Sequence, residues 1–375
     1  MTEWNNLSLI DIIEIIGGGT PKTSKAEYWN GNINWLSVKD FNNDNRYVYS
    51  TEKKITEEGL NNSSTKLLQK DDIIISARGT VGEMAMIPFP MAFNQSCYGI
   101  RAKECVNSTF LYYLIKNSVK KLKVMTHGSV FDTITRDTFA TINVDIPDIE
   151  VQCRIAKILS DIDDKIENNQ KINNNLEQQV SLLYQSWFED FEITNGVCPK
   201  NWSYQELSSI TDIASGKRPP VKSDICNQET PISIVGATSV MGFTSEANHT
   251  DKILITGRVG THGVIQRFNI PCWTSDNTLV ITSPYYEFTN QILHRIDYSS
   301  MNRGSTQPLI TQGDMKKVVV LVPDENTLSK FEEFAGSLMA KWEANNNENV
   351  KLVSLRDTLL PKLISGELDV SDIDL

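Results

Sequence analysis

One stretch of this sequence, residues 147–191, constrains the fold more than any other. Its apolar side chains recur every three or four residues, which is the spacing of one stripe along a helix and close to the seam of a coiled coil. A helix over residues 149–189 would be roughly 60 Å long at 1.5 Å per residue. Because a compact domain needs no helix of that length, we expect it to hold two parts of the molecule apart. The stripe consists of Ile155, Ile158, Ile162, Ile166, Ile172, Leu176, Val180, Leu183 and Trp187.

The same stretch occurs a second time, 176 positions later, so that Pro147 falls on Pro323. Two positions within the stripe hold asparagine in both copies. A buried asparagine in a helical seam costs stability and sets the register, because a slipped partner leaves its amide without a hydrogen bond. The alternative is a frayed or bent helix centre, since both copies are rich in asparagine there. The four residues are Asn169 and Asn173 in the first copy and Asn345 and Asn349 in the second.

Two helices that carry the same apolar stripe are expected to lie side by side, and the simplest arrangement is an antiparallel coiled coil. This pairing would bury the stripes of both copies. The side chains predicted to pair are Ile155, Ile162, Ile166, Asn169, Asn173, Leu176 and Leu183 of the first helix and Phe331, Leu338, Trp342, Asn345, Asn349, Leu352 and Leu359 of the second.

The segments that precede the two helices share one plan. Each alternates short apolar runs with turn signals, which is typical of an α+β domain. In the first segment, residues 72–77 and 83–87 predict a hairpin, residues 110–122 predict a helix, and residues 39–41 are expected to form a loop. The predicted fold is two similar mixed α/β domains joined by two long helices, with an internal pseudo-two-fold repeat. The predicted boundaries are 1–147 for the first domain, 148–192 for the first helix, 193–323 for the second domain, and 324–375 for the second helix and tail.

Cysteine, histidine and hydropathy patterns restrict the environment of the protein. None of the six cysteines forms a C-x-x-C pair and the four histidines are dispersed, so neither a disulfide framework nor a metal site is predicted. No apolar run approaches the length of a membrane span, and the N-terminus lacks the layout of a signal peptide. We therefore expect a cytoplasmic protein without a membrane partner.

The net charge of −11 argues against nucleic acid as a partner until its distribution is considered. Residues 148–192 carry ten acids and four bases, and residues 324–375 carry eleven acids and five bases. The acidity therefore belongs to the two helices, and the remaining segments are close to neutral. Local basic faces are compatible with that balance, whereas a broad cationic field is not.

Signatures of catalysis are missing from the sequence. There is no G-x-x-x-x-G-K-[ST] loop, no H-E-x-x-H and no G-x-S-x-G. Residues 17–19 are three glycines, but they lack the full G-x-G-x-x-G pattern. The carboxylate pair Asp163-Asp164 lies on an acidic helix, where such pairs usually form a solvated face. The chain is therefore predicted to be no enzyme.

Candidate contact residues cluster instead at glycine-rich turns. Residues 78–82 (RGTVG) and 258–263 (RVGTHG) each place one arginine beside glycines, which let backbone approach a phosphate closely, and arginine binds phosphate or the guanine edge. The alternative is an ordinary turn whose arginine is merely exposed. Lysines near turns can likewise be solvated, and asparagine and serine can cap turns rather than bind bases. The predicted contacts are Lys39, Arg78, Thr80, Asn94 and Ser96 in the first domain and Lys217, Arg218, Arg258, His262 and Asn277 in the second.

Taken together, these motifs resemble the specificity (S) subunit of type I restriction-modification systems, and the resemblance covers essentially the whole chain. The duplicated order of the motifs, together with the tail, is its most specific feature. The residues that carry it are 17–21 (GGGTP), 35–40 (WLSVKD), 78–82 (RGTVG), 304–311 (GSTQPLIT), the run 147–161 and the tail 359–368 (LLPKLISGEL).

The resemblance implies two target recognition domains, each of which reads one half of a split double-stranded DNA sequence. The paired helices would set the gap between the halves and dock two methyltransferase (M) subunits, and restriction (R) subunits would join them. S-adenosylmethionine, ATP and Mg²⁺ would belong to those partner subunits, with no cofactor in this chain. Two other functions stay open: a helical scaffold that ignores DNA, and a stand-alone DNA-binding antirestriction protein.

Overall fold

A computed structural model describes residues 4–125, 133–301, 309–370 and 373 of the chain. These residues form two compact units, which we call unit 1 (residues 1–171 and 345–375) and unit 2 (residues 172–344). The division passes through both long helices, so each unit combines one globular segment with part of each helix. The domain boundaries predicted above follow chain order instead, and they stay predictions.

Unit 1 contains ten strands and the first six α-helices of the described chain, the last of which continues into unit 2. The strands are β1 (Asn5–Ser8), β2 (Ile13–Gly17), β3 (Trp29–Leu36), β4 (Lys53–Ile55), β5 (Leu67–Leu68), β6 (Ile73–Ser76), β7 (Met84–Met86), β8 (Met91–Phe93), β9 (Cys97–Ala102) and β10 (Asn143–Ile146). The helices are α1 (Leu9–Ile12), α2 (Val38–Phe41), α3 (Glu57–Asn61), α4 (Ser108–Met125), α5 (Arg136–Thr141) and α6 (Ile149–Tyr184).

Unit 2 contains the remaining strands and helices of the described residues. The strands are β11 (Ser203–Glu206), β12 (Asp212–Ser215), β13 (Ile232–Val235), β14 (Val240–Thr244), β15 (Ile253–Gly257), β16 (Gln266–Phe268), β17 (Cys272–Thr274), β18 (Thr278–Thr282) and β19 (Val319–Val322). The helices are α7 (Tyr286–Arg295), α8 (Gln312–Lys316) and α9 (Glu325–Ile364), and α9 continues into unit 1.

The two units have corresponding sheets, which confirms the predicted repeat, although the second sheet has four strands in unit 1 and three among the described residues of unit 2. Unit 1 has an antiparallel sheet in the order β2-β9-β6-β7, and unit 2 has its counterpart in the order β12-β18-β15-β16. A second sheet in each unit contains one parallel pair, β3 with β8 and β13 with β17. A two-stranded pair closes each segment, β1 with β10 and β11 with β19.

Most of the predicted elements of the first segment are confirmed, and one is wrong. Strands β6 and β7 form the predicted antiparallel hairpin, and α4 contains the predicted helix. Residues 39–41, predicted as a loop, belong to helix α2. The side chain of Asp40 accepts hydrogen bonds from the backbone N–H and the hydroxyl of Ser37, at 2.7 and 2.8 Å. This capping box supplies the start signal of the short helix.

The long helices are antiparallel within each unit, as predicted. In unit 1, Asp163 of α6 contacts Arg356 of α9, and further along α6 the backbone of Ile166 contacts Asn349. In unit 2, the Asn173 amide reaches the backbone carbonyl of Trp342, and Tyr184 packs against Phe331. In both cases the partner number falls as the α6 number rises, which defines the antiparallel direction.

The asparagine positions set a polar layer between the helices of unit 1. The Asn169 amide donates to the side-chain oxygens of Asn349 at 2.9 Å and Glu348 at 2.8 Å. Helices α6 and α9 are continuous through these residues, so the alternative of a frayed centre is wrong. Because a shifted helix would leave the buried Asn169 amide without its partners, this layer favours one register.

The predicted pairing residues divide into buried side chains and half-buried side chains at the margin of the seam. The buried ones are Ile155, Ile166, Asn169, Asn173, Leu176, Phe331 and Asn345. The half-buried ones are Ile162, Leu183, Leu338, Trp342, Asn349, Leu352 and Leu359.

The acidic surroundings of Asp163 predicted a solvated face, and for Asp163 this prediction is wrong. Its side chain is only 7% exposed, and it faces Arg356, which is 4% exposed, at 3.0 Å. The hydroxyl of Tyr113 on α4 donates to the other Asp163 oxygen at 2.6 Å. Arg356 also binds Asp44 at 2.9 Å, and despite the opposing effect of burial its carboxylate partners raise the pKa of the guanidinium. Both charges are therefore paired and hydrogen-bonded, which burial requires.

Replacing Asp163 by asparagine tests this buried network. We expect Asp163→Asn to lower the free energy of unfolding by about 3 kcal/mol, near the lower end for a broken buried pair, because Asp44 still neutralises Arg356 in part. Chemical denaturation of the full chain measures the change. Asp161→Asn is the matched control on the same helix: its partner Lys157 is half exposed, so the expected change is within about 0.5 kcal/mol. Equal effects of the two substitutions would contradict the assignment.

Candidate nucleic-acid interface

The five predicted contact residues of the first segment lie together in unit 1. They line one cleft of about 490 Å³, formed where β3 ends, where β4 begins, at the β6–β7 turn and at the loop before β9. The residues that it brings together are Lys39, Arg78, Thr80, Asn94 and Ser96. The structure therefore places these residues side by side, while their contact with DNA stays a prediction.

The cleft of unit 1 has a basic lining. Lys39, Lys53 and Arg78 line it with exposed side chains, and Glu52 is the one acid among its lining residues. Three cations against one anion give a local positive patch on a chain whose net charge is −11. Such a patch fits the phosphate backbone, whose contacts with lysine and arginine dominate affinity for duplex DNA.

Lys53 is a cleft residue that sequence reasoning missed. It lies opposite Trp35 in the β3–β4 ladder, and its ammonium sits 5.9 Å from the centre of the Trp29 ring. Its neighbour Lys54 pairs with Asn34 and is exposed, but it is not among the cleft residues. Successive residues of a strand point to opposite faces, so the alternation across β4 decides which lysine reaches the cleft. Residues 53–55 were not predicted to form a strand, so the alternation that selects Lys53 could not be used.

The glycine-rich stretch of unit 1 is held tightly under the cleft. A Cβ on Gly18 would lie 2.1 Å from the carbonyl oxygen of Asn94, so only glycine fits there. The next residue, Gly19, donates its N–H to Phe93 at 2.9 Å and accepts the indole N–H of Trp35 at 3.0 Å. These bonds fix the loop that carries Asn94 beside the end of β3.

Asn94 itself has a structural role at this turn. Its side-chain oxygen accepts the backbone N–H of Ser96 at 3.0 Å, which is the turn-capping alternative. The side-chain NH₂ of Asn94 can still donate toward the cleft, and Ser96 lines the cleft beside it. Capping therefore orients the amide rather than removing it from the candidate interface.

Unit 2 has the same glycine-rich frame with different side chains. A Cβ on Gly216 would lie 2.1 Å from the carbonyl of Ser275, the counterpart of the Gly18 approach. Lys217 then donates its backbone N–H to Thr274 at 2.9 Å and accepts the indole N–H of Trp273 at 2.8 Å. A lysine thus stands where unit 1 has Gly19, with its backbone fixed and its side chain exposed.

The loop of residues 274–277 brings together the predicted contacts of unit 2. Besides Lys217, it holds Arg218, whose guanidinium is 3.2 Å from Asp276 and whose side chain is 89% exposed. The backbone N–H of Arg258 donates to the carbonyl of the exposed Asn277 at 2.8 Å. His262 lies beside them, with its Nδ1 3.1 Å from the carbonyl of Gly257.

The predicted match between Arg78 and Arg258 is wrong by one position. In unit 1, the N–H of Ala77 donates to Ser96 and Arg78 forms an isolated bridge with Thr133. In unit 2, the N–H of Arg258 makes the first bond and Val259 forms the bridge, with Leu309. Arg258 therefore takes the place of the buried Ala77. Gly79 and Gly82 then match Gly260 and Gly263, all four with positive φ, so the two turns have the same length and the extra residue of the predicted match does not exist.

The cysteine, histidine and hydropathy expectations can be compared with the described parts of the chain. There, His, Cys, Asp and Glu form no group that could hold a metal ion. No helix in those parts is long and apolar enough to cross a membrane. The motif at 304–308 and its counterpart at 128–132 lie outside the described residues, so nothing is concluded about their roles.

The architecture and the two polar loop clusters define a duplicated α+β protein. A family model described as "Type I restriction modification DNA specificity domain" matches residues 1–178. The MjaIX type I restriction enzyme specificity subunit of Methanocaldococcus jannaschii is 30% identical over 413 residues, covering 99% of this chain and 95% of that protein. The EcoR124I/EcoR124II specificity subunit of Escherichia coli is 32% identical over 169 residues, 43% of this chain and 41% of the relative.

A solved structure supports the same fold. The type I restriction-modification S subunit from M. genitalium covers 99% of this chain and 97% of its own, with a TM-score of 0.61 at 17% identity. The chain belongs to the family of type I restriction enzyme specificity subunits. It is thus a DNA-binding, non-catalytic subunit, and the prediction that it is no enzyme is confirmed.

Neighbouring lysines on β4 give the sharpest test of the cleft in unit 1. We expect Lys53→Ala to weaken binding to all duplexes about equally and to lower the slope of log K against log salt by about one, as for one lost phosphate contact. Lys54→Ala removes the same charge from the opposite face of the strand and should leave the slope unchanged. Binding titrations across a salt series with the assembled complex compare the two variants. Identical slopes for both would exclude the cleft as a phosphate site.

The corrected alignment of the arginines gives a second test. We expect Arg78→Ala to cost about 1–3 kcal/mol if the guanidinium binds a guanine edge, with relaxed preference at one base pair. Arg258→Ala, at the position of the buried Ala77, should leave base preference and salt slope unchanged. Binding to matched and mismatched duplexes distinguishes the variants. A larger loss of specificity for Arg258→Ala than for Arg78→Ala would contradict this assignment of the base contact to Arg78.

Proposed function

We propose that this chain reads a DNA target in two separate halves, one with each unit, and that the helix pair sets the spacing between them. It docks two methyltransferase subunits and the restriction subunits of a type I system in the cytoplasm. S-adenosylmethionine, ATP and Mg²⁺ act in those partners, and this chain holds no cofactor. The similarity to the MjaIX specificity subunit, which belongs to a type I restriction enzyme, supports the assignment of this chain to a type I system.

One observation carries this proposal: the same frame appears twice with different polar side chains on it. The close approach of glycine to a loop carbonyl is repeated at Gly18 and Gly216. Around it, unit 1 presents Lys39 and Arg78, whereas unit 2 presents Lys217 and Arg218. A duplicated frame with unlike contact residues suits two readers of unlike half-sequences, because base readout depends on the side chains presented to the groove.

The helix pair has the properties that a spacer needs. Asn169 and Asn349 hold one register in unit 1, and in unit 2 the Asn173 amide donates to the backbone of Trp342 at 3.3 Å. Half-site spacing on a duplex is a geometric property of the protein that binds it. Buried polar contacts that resist sliding would keep that spacing constant.

Exposed apolar side chains on the long helices support docking of partner subunits. Val350 of α9 is 70% exposed and Leu355 is 47% exposed, both in the part that belongs to unit 1. In unit 2, Leu182 of α6 is 63% exposed and Phe334 of α9 is 55% exposed. Large apolar groups that helix pairing leaves in water on both units favour one partner for each.

The rival functions differ in what they require of DNA. A helical scaffold would need neither the basic cleft nor the repeated loops, and its affinity for duplex DNA would be absent. A stand-alone antirestriction protein would bind DNA without directing methylation. Sequencing of methylated adenines in cells with and without this gene tests the proposal directly: a split motif that disappears with the gene supports it. An unchanged methylome in a strain with active methyltransferase subunits would refute it.

Lengthening both helices tests the spacer. We insert seven helix-forming residues between Lys171 and Ile172 and seven between Ala344 and Asn345, where the helices pass from one unit to the other. Contacts within each unit are kept, and two added turns lengthen the pair by about 10 Å, about three base-pair steps. We expect the gap of the methylated motif to widen by about three base pairs while both half-sequences stay the same.

A single insertion serves as the control for this spacer experiment. Seven residues in α6 alone put the two helices out of step, so we expect methylation to be lost rather than redirected. A motif whose gap is unchanged after the double insertion would contradict the spacer, whatever happens to its half-sequences.

A further inference from the structure

The edge of the main sheet in unit 1 is covered by the chain's own backbone. Met86 of the edge strand β7 donates its N–H to the carbonyl of Arg46 at 2.7 Å and accepts the N–H of Val48 at 3.4 Å. Tyr47 lies between these two and forms a parallel bridge with Met86. Residues 46–48 therefore cover the edge of the sheet with one parallel bridge.

The same segment fills the corner between the sheet, α4 and the helix pair of unit 1. Arg46 is buried and forms an ion pair with Asp164 of α6. Asp44 binds Lys116 of α4 at 2.7 Å and Arg356 of α9 at 2.9 Å. Residues 44–48 thus use backbone bonds to the sheet and ion pairs to the surrounding helices.

The corresponding strand in unit 2 has an open edge. Arg267 lies opposite Leu254 in β15 as Met86 lies opposite Ile73 in β6, so Arg267 takes the place of Met86. The alternation of an antiparallel ladder directs its N–H and C=O away from β15. Within the described ranges, no hydrogen bond reaches either group. Here β13 and β14 are joined by residues 236–239 alone, too few to reach across as residues 44–48 do.

A cavity of about 910 Å³ lies beside this open edge. Ile265 and Arg267 line it from the sheet, Asn290 from α7, Gln178 from α6 and Met339 from α9. Met339 is the repeat counterpart of Asp163, which lies in the filled corner of unit 1. The cavity of unit 2 therefore occupies the corner that unit 1 fills with its own segment.

Two hydrogen-bond acceptors face the cavity of unit 2. Asn290 is 5% exposed, and its side-chain oxygen has no hydrogen-bond partner among the described residues. The exposed carboxylate of Glu177 also lines the cavity, where it accepts the indole N–H of Trp342 at 2.7 Å. Both wall arginines are already neutralised, Arg267 by Glu287 and Arg295 by Glu189, each at 2.7 Å. The acceptors that face the cavity are thus an unpartnered amide oxygen and an exposed carboxylate, which complement a cation, and the buried Nε of Arg267 is a donor without a partner among the described residues.

We propose that this corner of unit 2 binds an extended segment of a partner protein, which adds a parallel strand beside β16 and inserts an arginine or lysine toward Asn290 and Glu177. The segment does for unit 2 what residues 44–48, with Arg46, do for unit 1. Main-chain bonds to an open edge give affinity, and the inserted side chain gives specificity. The inference rests on the proposed function in taking the methyltransferase subunit as this partner.

Hydrogen exchange at the edge strand tests the inference. The full chain is compared alone and with the purified methyltransferase subunit of the same system, and complex formation is followed by co-elution in size exclusion. We expect the amide of Arg267, resolved in overlapping peptic fragments, to exchange at least about tenfold more slowly in the complex, because a new hydrogen bond protects it.

A bulky side chain in the cavity provides the matched variants. Gln178→Trp fills the cavity from an exposed helix position, so the protection at Arg267 should be lost while the melting temperature is unchanged. Ser354→Trp is the control at the exposed repeat counterpart in unit 1, where the chain's own segment occupies the corner, and it should keep the protection.

Each outcome decides between the two proposals. A stable complex without slower exchange at Arg267, or with equal protection in Gln178→Trp, overturns the inference and leaves the proposed docking intact. Failure to form any complex overturns both. Protection that rises with the concentration of the chain alone identifies a second copy as the occupant and overturns the assignment to the partner.

Discussion

The buried polar contacts between the long helices are the constraint on which both units depend. Each unit builds its main core directly onto the helices: Ile155 and Leu363 belong to the core of unit 1, and Val180 and Phe331 to that of unit 2. Because apolar side chains tolerate sliding better than hydrogen-bonded pairs do, the apolar stripe alone would not select one register. The Asn169–Asn349 contact selects one register, because a shifted helix leaves a buried amide without its hydrogen bond, at a cost of about 1–3 kcal/mol.

The repeated frame is maintained by interactions more than by residue identities. In unit 1, Trp35 on β3 donates its indole N–H to the glycine-loop carbonyl, and in unit 2 Trp273 on β17 donates to the equivalent carbonyl. These tryptophans come from different strands of the parallel pair, so the equivalent hydrogen bond is made from β3 in unit 1 and from β17 in unit 2. Loops above such a frame are free to change their side chains without loss of the fold.

Periodicity made the helices and the main hairpin predictable from sequence, because both signals lie within a few turns or residues. Asp163 was misjudged for the opposite reason: its partner Arg356 is 193 residues away, so its local surroundings gave only an acidic surface. Lys53 was missed because nothing marked β4 as a strand. Arg258 was misaligned because the two arginines look alike in sequence, whereas the strand registers match Arg258 to Ala77. The proximity of the cleft residues was not predicted, because Lys39, Arg78 and Asn94 follow different strands whose pairing the sequence does not give.

The ion pair between Asp163 and Arg356 has a consequence for the origin of the two halves. Two identical ancestral halves would meet through equivalent helices, and the repeat places Met339 and Val180 at the counterparts of Asp163 and Arg356. A self-assembled pair of first halves would therefore bury Asp163 against Val180, and a pair of second halves would bury Arg356 against Met339. Either homodimer lacks the buried ion pair of Asp163 with Arg356, whereas the mixed pair forms it. We therefore expect the two halves, if they were produced as separate chains, to pair with each other in preference to copies of themselves.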